Sequence, residues 1–230
     1  MREFIKKIPV IRDIVYIIYR KLRLSRLIER SFPGSEKYWQ NRYNSGGNSG
    51  SGSYGKLAEF KAEVINSFVI DHGVKSVIEF GCGDGNQLML SKYPKYFGFD
   101  ISDEAIRKCK KLFEEDSTKV FDIMANYSNQ TADLALSLDV IYHLVEDKVF
   151  ENYMNVLFAA SNKNVIIYSS DFEDDKRCEG MHVRHRAFSK WVSSNLPEWE
   201  LAKYFPNKYP DKGKYQEGSF ADFFIYKKKI

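Results

Sequence analysis

Short apolar segments alternate with amphipathic helical segments along most of this chain, from about residue 56 to the C-terminus. Seven segments are strand candidates: Lys75–Phe80, Tyr96–Ile101, Lys119–Ile123, Ala132–Tyr142, Asn164–Ser170, Trp199–Phe205 and Phe220–Tyr226. Such alternation is typical of a mostly parallel sheet that is covered on both faces. No helix separates the last two candidates, so we expect a hairpin whose last strand is antiparallel. The pattern predicts an α/β fold with a doubly wound sheet of about seven strands.

Size and cysteine usage limit the class of protein. The chain has 230 residues, of which 43% are hydrophobic, which suits one core with a small appendage. Its longest apolar stretch near the N-terminus, Ile14–Tyr19, is much too short to span a bilayer. Cys82, Cys109 and Cys178 form neither a metal-binding spacing nor a disulfide framework. We therefore expect a cytoplasmic protein without a metal site.

Positive charge is concentrated in the N-terminal segment. Residues 1–30 hold nine basic and three acidic residues, a net charge of +6, whereas the whole chain carries +4 and the remainder therefore −2. The remainder has no general nucleic-acid footprint, so we expect no nucleic-acid partner. An apolar stripe at helical spacing is formed by Ile11, Ile14, Val15, Ile18 and Leu22. Residues 1–35 are thus predicted to be a basic amphipathic helical arm, which either lies peripherally on the inner face of a membrane or packs on protein.

Residues 36–55 form an aromatic and glycine-rich segment. Residues 44–55 read Asn-Ser-Gly-Gly-Asn-Ser-Gly-Ser-Gly-Ser-Tyr-Gly, which by composition is a flexible linker. The alternative is a mobile lid over an active site, since glycines permit hinging. The pairs Tyr38-Trp39 and Arg42-Tyr43 are unusual in a plain spacer and favour the lid. The main domain is predicted to span residues 56–230.

A turn with three glycines follows the first strand candidate, where we expect the strand to pass into a helix. Its order is Glu79-Phe80-Gly81-Cys82-Gly83-Asp84-Gly85-Asn86. A dinucleotide fingerprint would place its third glycine at Asn86, and a phosphate-binding P-loop would need Gly-Lys-Ser/Thr. Asp100 ends the next strand candidate, where a carboxylate can bind both hydroxyls of a ribose. No basic cluster accompanies the turn. The sequence predicts a nucleoside site without a pyrophosphate.

Three segments resemble the class I S-adenosylmethionine-dependent methyltransferases, namely Glu-Phe-Gly-Cys-Gly-Asp-Gly, Gly-Phe-Asp-Ile-Ser and Asp-Leu-Ala-Leu-Ser-Leu-Asp-Val-Ile-Tyr-His-Leu. The resemblance runs from about residue 56 to the C-terminus and implies a Rossmann-like fold with S-adenosyl-L-methionine as cofactor. It implies that Gly81, Gly83 and Gly85 pass under the methionine moiety, with Glu79 organising the turn. It further implies that Asp100 binds ribose, that Ile101 and Asp122 meet adenine, and that Leu138 and Asp139 face methionine.

Histidines and arginines supply the candidates for chemistry. An alcohol acceptor must lose a proton, and His143 at the end of the fourth strand candidate is suited to take it. Tyr142 beside it lines either the acceptor pocket or the core. Arg184, His185 and Arg186 follow the fifth strand candidate and suit an anionic acceptor. The alternative is a solvated loop paired with nearby acids, and a metal site at His182 and His185 lacks a third ligand.

Together these features predict a methyltransferase that acts on oxygen in a small molecule or glycan precursor, such as a surface polysaccharide intermediate. The acceptor is either neutral or anionic. Two alternatives are a non-catalytic cofactor-binding or scaffold protein and a nicotinamide oxidoreductase. Asn86 in place of the third glycine argues against the latter. The sequence does not indicate an oligomeric state.

Overall fold

The computed structural model describes residues 32–173, 180–211, 213 and 218–229. The chain divides into two units, Met1–Pro33 and Gly34–Ile230, and every helix and strand described belongs to the second. The predicted arm over residues 1–35 lies almost wholly outside the described residues, as do Asp174, Asp175, Cys178 and Glu179. No helix in the described ranges is long and apolar enough to cross a membrane.

The described residues form helices α1 (Ser35–Asn44), α2 (Gly55–Asp71), α3 (Asp103–Leu112), α4 (Asp147–Ala159) and α5 (Phe188–Asn195). The strands are β1 (Val77–Phe80), β2 (Tyr96–Asp100), β3 (Lys119–Ile123), β4 (Ala132–Leu138), β5 (Ser161–Ser169), β6 (Trp199–Phe205) and β7 (Asp222–Lys228). They make one seven-stranded sheet in the order β3-β2-β1-β4-β5-β7-β6. Strands β1 to β5 pair in parallel, and β7 is antiparallel to both β5 and β6. The predicted Rossmann-like α/β fold is confirmed.

Helices cover both faces of the sheet. Because successive residues of a strand point to opposite faces, the inner strands are hydrophobic at nearly every position. One core cluster joins α2 and α3 to the sheet through Ile65, Phe68 and Ile106. The other joins α4 and α5 to the opposite face through Phe150, Met154 and Val192. All four residues of β1 are buried. Because β1 is central, the turn that follows it opens at the middle of the sheet edge.

Two local features differ from the predicted pattern. The turn after β1 was expected to enter a helix, but the structure has only a 3₁₀ turn, Gln87–Leu90, before β2. Few residues remain between that turn and Tyr96, and Pro94 among them cannot donate to a helix. Strand β4 ends at Leu138 rather than near Tyr142. Asp139 has φ +60°, which breaks the extended chain before a 3₁₀ turn at Ile141–His143.

Candidate active site

A cavity of about 420 Å³ opens at the carboxyl ends of β1, β2 and β4. This size lies within the usual range of small-ligand pockets, roughly 300–1,000 Å³. We call its lower wall the floor, formed by Gly81–Gly85 and Asp100. We call its cover the roof, formed by α1 and residues 45–53. Ser35, Trp39, Tyr43, Ser49 and Ser53 of the roof line the cavity. The site therefore lies where ligands bind in open α/β sheets.

The glycines of the floor are required by both conformation and space. Gly81 has φ +88° and Gly83 has φ +60°, values that side chains disfavour. A Cβ at Gly81 would lie 2.5 Å from Cγ2 of Val140. A Cβ at Gly83 would lie 2.9 Å from the hydroxyl of Tyr43 and would collide with Ser49 Oγ. The main chain of the floor can therefore come this close to Val140 and to the roof only because Gly81 and Gly83 have no side chain.

Two buried carboxyl groups hold the floor in place. Asp100 Oδ2 accepts a hydrogen bond of 3.0 Å from the Gly83 amide, and its Oδ1 accepts one of 2.9 Å from Ser102. Burial raises the pKa of Asp100 to about 6, against the opposing effect of these amides. Glu79 accepts a 2.6 Å bond from the Tyr96 hydroxyl, and burial raises its pKa to about 7. Asp100 therefore ties the turn to β2, and Glu79 ties β1 to β2 beneath it.

The roof is fastened to the floor at Asp84. Ser49 donates to this carboxylate from its amide at 3.0 Å and from its hydroxyl at 2.8 Å, and Tyr54 donates at 2.9 Å. Burial opposes ionisation, but these bonds prevail and lower the pKa of Asp84. At the start of α1, Ser35 donates to Glu146 from its amide at 2.9 Å and from its hydroxyl at 2.6 Å. Side-chain hydrogen bonds thus hold the roof at both ends.

A buried ion pair lies on the α2 side of the cavity. Lys61 has no exposed surface, lines the cavity and places its Nζ 2.5 Å from Oδ2 of Asp139. The Tyr142 hydroxyl donates to the other oxygen of Asp139 at 2.8 Å. Sequence analysis missed Lys61. The signal was present, because Lys61 follows Phe60 on the buried face of α2, where a lysine needs a partner.

His143 lines the cavity, half-buried, with its ring held in one orientation. Its Nδ1 lies 3.0 Å from the carbonyl oxygen of His182. Since a carbonyl only accepts, Nδ1 carries the proton and Nε2 is left as the acceptor. Burial lowers the pKa of His143 to about 4, so the ring is neutral at pH 7. The Trp39 ring packs edge-on, with centroids 4.7 Å apart.

The arginines that were predicted to bind an anion form ion pairs with an aspartate of the protein. Arg184 and Arg186 donate to the same oxygen of Asp147 at 2.9 and 2.6 Å. Each also donates to the carbonyl of Val145, at 3.0 and 2.8 Å. These contacts brace the connection between β4 and α4. Between them His185 is buried, 2.7 Å from the Ser170 hydroxyl.

The structure brings most of the predicted cofactor residues together. The cavity lining includes Glu79, Gly81, Gly83, Asp100, Ile101, Leu138, Asp139 and His143. Outside the lining lie Gly85, Asp122, Tyr142, Arg184, His185 and Arg186. Asp122 caps its own turn through Asn126 at 2.9 Å, and Met124 reaches the cavity at that point. In the described ranges, no three potential metal ligands lie together.

The charge and polarity of the lining fit S-adenosylmethionine, a cation without phosphate. Four carboxyl side chains face the cavity, those of Glu36, Glu79, Asp100 and Asp139, with Lys61 and Lys148 as the basic side chains. This balance suits a sulfonium and would repel a pyrophosphate. Gln87 also lines the cavity, and its buried Oε1 has no hydrogen-bond partner within the described part of the chain. A buried acceptor of this kind is satisfied when a ligand donates to it.

Comparison with known proteins agrees with this geometry. A family model described as a methyltransferase domain matches residues 19–208. The methyltransferase domain of bacterial CtHen1-C has 16% identity and a TM-score of 0.60, over 76% of this chain and 100% of its own. The magnesium protoporphyrin IX methyltransferase of Synechocystis PCC 6803 with bound S-adenosylmethionine has 14% identity and a TM-score of 0.60, over 85% of this chain and 97% of its own. The N-methyltransferase NodS of Bradyrhizobium japonicum WM9 has 12% identity and a TM-score of 0.58, over 76% of this chain and 98% of its own. No curated protein sequence matches significantly.

Proposed function

The chain belongs to the methyltransferase-domain family, and we propose that it transfers a methyl group from S-adenosylmethionine to a hydroxyl oxygen of a small molecule or glycan precursor. S-adenosylmethionine is the methyl donor of this family. The observation that carries the choice of oxygen is His143, a neutral imidazole at the cavity whose Nε2 is the proton acceptor. A nucleophile that is already deprotonated would need no such group.

The residues of the floor are those that would hold the cofactor. Gly81 and Gly83 would let the main chain approach its methionine part, and Asp100 would accept from the ribose hydroxyls. Both Ile101 and Leu138 line the cavity, where Ile101 would supply apolar surface for adenine and Leu138 would face the methionine moiety. Lys61, Asp139 and Gln87 would serve the charged end of the methionine moiety. When bound, the cofactor supplies a methyl group already activated by a sulfonium, so the protein mainly aligns the acceptor.

His143 would take the proton of the attacking hydroxyl through Nε2. With a pKa of about 4 it is a weak base, and it would not deprotonate the alcohol before the methyl transfer begins. As the oxygen forms its bond to carbon, however, the hydroxyl becomes strongly acidic, and a weak base then suffices. Its neutral form is the one present at pH 7. Asp139, whose negative charge acts on the ring, would stabilise the imidazolium that forms.

The test supplies the full chain with methyl-labelled S-adenosylmethionine and a panel of neutral sugars, sugar acids and sugar phosphates. Mass spectrometry should find the label on oxygen. His143→Gln should lower the rate by about 100-fold or more and leave the affinity for S-adenosylhomocysteine unchanged. His72→Gln is the matched control, since its Nδ1 also lies 3.0 Å from a carbonyl, that of Phe68. Label on nitrogen or on RNA alone would contradict this acceptor class.

We further propose that the roof acts as a lid. It covers part of the cavity and is held by the bonds of its residues to Asp84 and Glu146, so breaking those bonds would widen the path to the site. The glycines of residues 45–53 offer the backbone freedom that opening needs. Exchange of cofactor and product should therefore depend on these hydrogen bonds.

A membrane-proximal acceptor would suit the net charge of +6 on residues 1–30. Those residues lie outside the described part of the structure. We propose peripheral contact of a cytoplasmic enzyme with anionic lipid through this segment. Flotation with phosphatidylglycerol vesicles should retain the full chain and lose a variant without residues 1–30; equal partitioning would refute the contact.

A further inference from the structure

Arg42 lies just outside the cavity lining, beside Trp39, which lines the cavity together with His143. It follows Trp39 by about one turn of α1, and its guanidinium carbon lies 5.4 Å from the centroid of the Trp39 ring. Trp39 in turn packs against His143. The positive charge of Arg42 contributes to the lowered pKa of His143 and also to that of His182, in addition to burial. Arg42 and His182 thus lie beside Trp39 and His143, the two residues of this group that line the cavity.

Within the described ranges, Arg42 has no acidic partner, whereas Arg184 and Arg186 share one. Its Nε donates to the carbonyl of Asn48 at 2.8 Å, which leaves the terminal nitrogens of the guanidinium. The ion pairs among the described residues include Arg184 and Arg186, both with Asp147, and do not include Arg42. A half-buried arginine without a carboxylate is suited to bind an anion that arrives with a ligand.

A flat wall of rings continues from the same edge. Tyr38 stacks on His182 with centroids 4.5 Å apart and an angle of 11° between the planes. His182 stacks on His143 at 5.4 Å and 12°. The carboxylate that acts on His143 is Asp139, and Lys61 already pairs with it. This edge therefore combines the positive charge of Arg42 with aromatic rings, whereas four carboxyl side chains line the cavity itself.

We propose that Arg42 binds an anionic oxygen group, a carboxylate or a phosphate, of the methyl acceptor and thereby directs the acceptor hydroxyl to His143. This inference rests on the proposed methyl transfer. The anion is not consumed. The hydroxyl oxygen forms a bond to the methyl carbon, the carbon–sulfur bond breaks with its electron pair passing to sulfur, and the hydroxyl proton passes to Nε2 of His143. Arg42 is a specificity residue, and because it belongs to α1, the bound acceptor also holds the roof closed.

The experiment uses the four histidines of the chain as probes. The full chain, labelled in its histidine rings and saturated with S-adenosylhomocysteine, is titrated by NMR with glucuronate, glucose 6-phosphate and glucose. Calorimetry first establishes that S-adenosylhomocysteine binds, and failure at that step would reject the proposed function itself. Signals of His143 and His182 should shift with at least one of the two anions and not with glucose, while His72 stays constant.

Variants then locate the anion. Arg42→Gln should weaken the anion response by about 10-fold or more, and Arg42→Lys should weaken it less, because the charge remains although the bond to Asn48 is lost. Arg107→Gln, on the exposed face of α3, is the matched control. Equal responses to glucose and to the anions would overturn the proposal, as would no response. A response lost in Arg184→Gln but kept in Arg42→Gln would also overturn it.

Discussion

The floor and the roof of the cavity are attached to the protein in different ways. The floor belongs to the ends of central strands, and its main contact is the buried bond from the Gly83 amide to Asp100 at 3.0 Å. The roof is attached by side chains at partly exposed positions, to Asp84 on one side and Glu146 on the other. The floor therefore cannot move without the sheet, whereas the roof can detach by losing a few hydrogen bonds.

This difference assigns different properties to the two walls. A hydrogen bond contributes about 1 kcal/mol net, and more when one partner is charged. The free energy needed to break the few bonds at Asp84 is therefore small enough for the roof to open by thermal motion. Buried backbone at a strand end opens only with the cooperative unit to which it belongs. We expect changes in the floor to alter cofactor affinity at equilibrium. We expect changes in the roof to alter mainly the rates of exchange.

The strongest test substitutes the glycine that touches both walls. Gly83→Ala should lower affinity for S-adenosylhomocysteine by more than about 100-fold, because it combines left-handed strain with a collision against Ser49 and Tyr43. Gly73→Ala is the control, since Gly73 has φ +59° but open space around its Cβ position. Calorimetry on both should show lost binding only for Gly83→Ala. Adding Ser49→Ala to Gly83→Ala should recover part of the affinity, and no recovery would mean that the walls are independent there.

The next test separates two aspartates at the carboxyl ends of the neighbouring strands β2 and β3. Asp100→Ala should weaken S-adenosylhomocysteine binding by about 10- to 100-fold, since a charged, buried acceptor is removed. Asp122→Ala should leave binding unchanged, because that side chain lies outside the cavity lining and bonds to Asn126. The resemblance to the family implied a role for both. Equal losses in calorimetry would restore Asp122 to the site and contradict the separation seen in the structure.

The residues of the floor could be predicted from sequence, whereas for the roof only its segment could be predicted and not the contacts that hold it, for a physical reason. Strands β3 and β6 have the predicted bounds, and the floor follows a local pattern in which glycines and a strand-end acid have fixed spacing. The roof depends on pairs such as Ser49 with Asp84 and Ser35 with Glu146, which are 35 and 111 residues apart in sequence. Hydrophobic periodicity indicates which face of a helix or strand a residue lies on, but it does not identify a polar partner that is distant in sequence.

Arginines illustrate the same limit. The composition of the segment around Arg184 and Arg186 is equally suited to an anionic ligand and to an internal acid, and only the position of Asp147 decides between them. Arg42 drew attention only as a neighbour of Tyr43. Its lack of a carboxylate among the described residues becomes visible only when α1 is placed over the cavity.

The roof itself is tested at Ser49. Ser49→Ala removes the hydroxyl that donates to Asp84 at 2.8 Å and meets Tyr43 at 2.9 Å, so the closed roof should open more often. We expect dissociation of S-adenosylhomocysteine to accelerate by about 10-fold, with a smaller change in equilibrium affinity. Ser51→Ala, at an exposed position of the same segment, is the control. Stopped-flow measurement of Trp39 fluorescence follows the exchange, and an unchanged rate would argue that the roof does not gate it.

A test of a different kind concerns the stability of the floor and its dependence on pH. Burial raises the pKa of Glu79 from 4.5 to about 7, so the folded state holds a proton that the unfolded chain releases. Unfolding free energy should therefore fall as pH rises from about 4.5 to about 7 and then level off. Glu79→Gln, which cannot ionise, should match wild type at pH 4.5 and exceed it at pH 8 by at most about 3 kcal/mol. Thermal denaturation at both pH values measures this, with exposed Glu63→Gln as control. A gain of equal size at both pH values would show that Glu79 acts by packing and not by its charge.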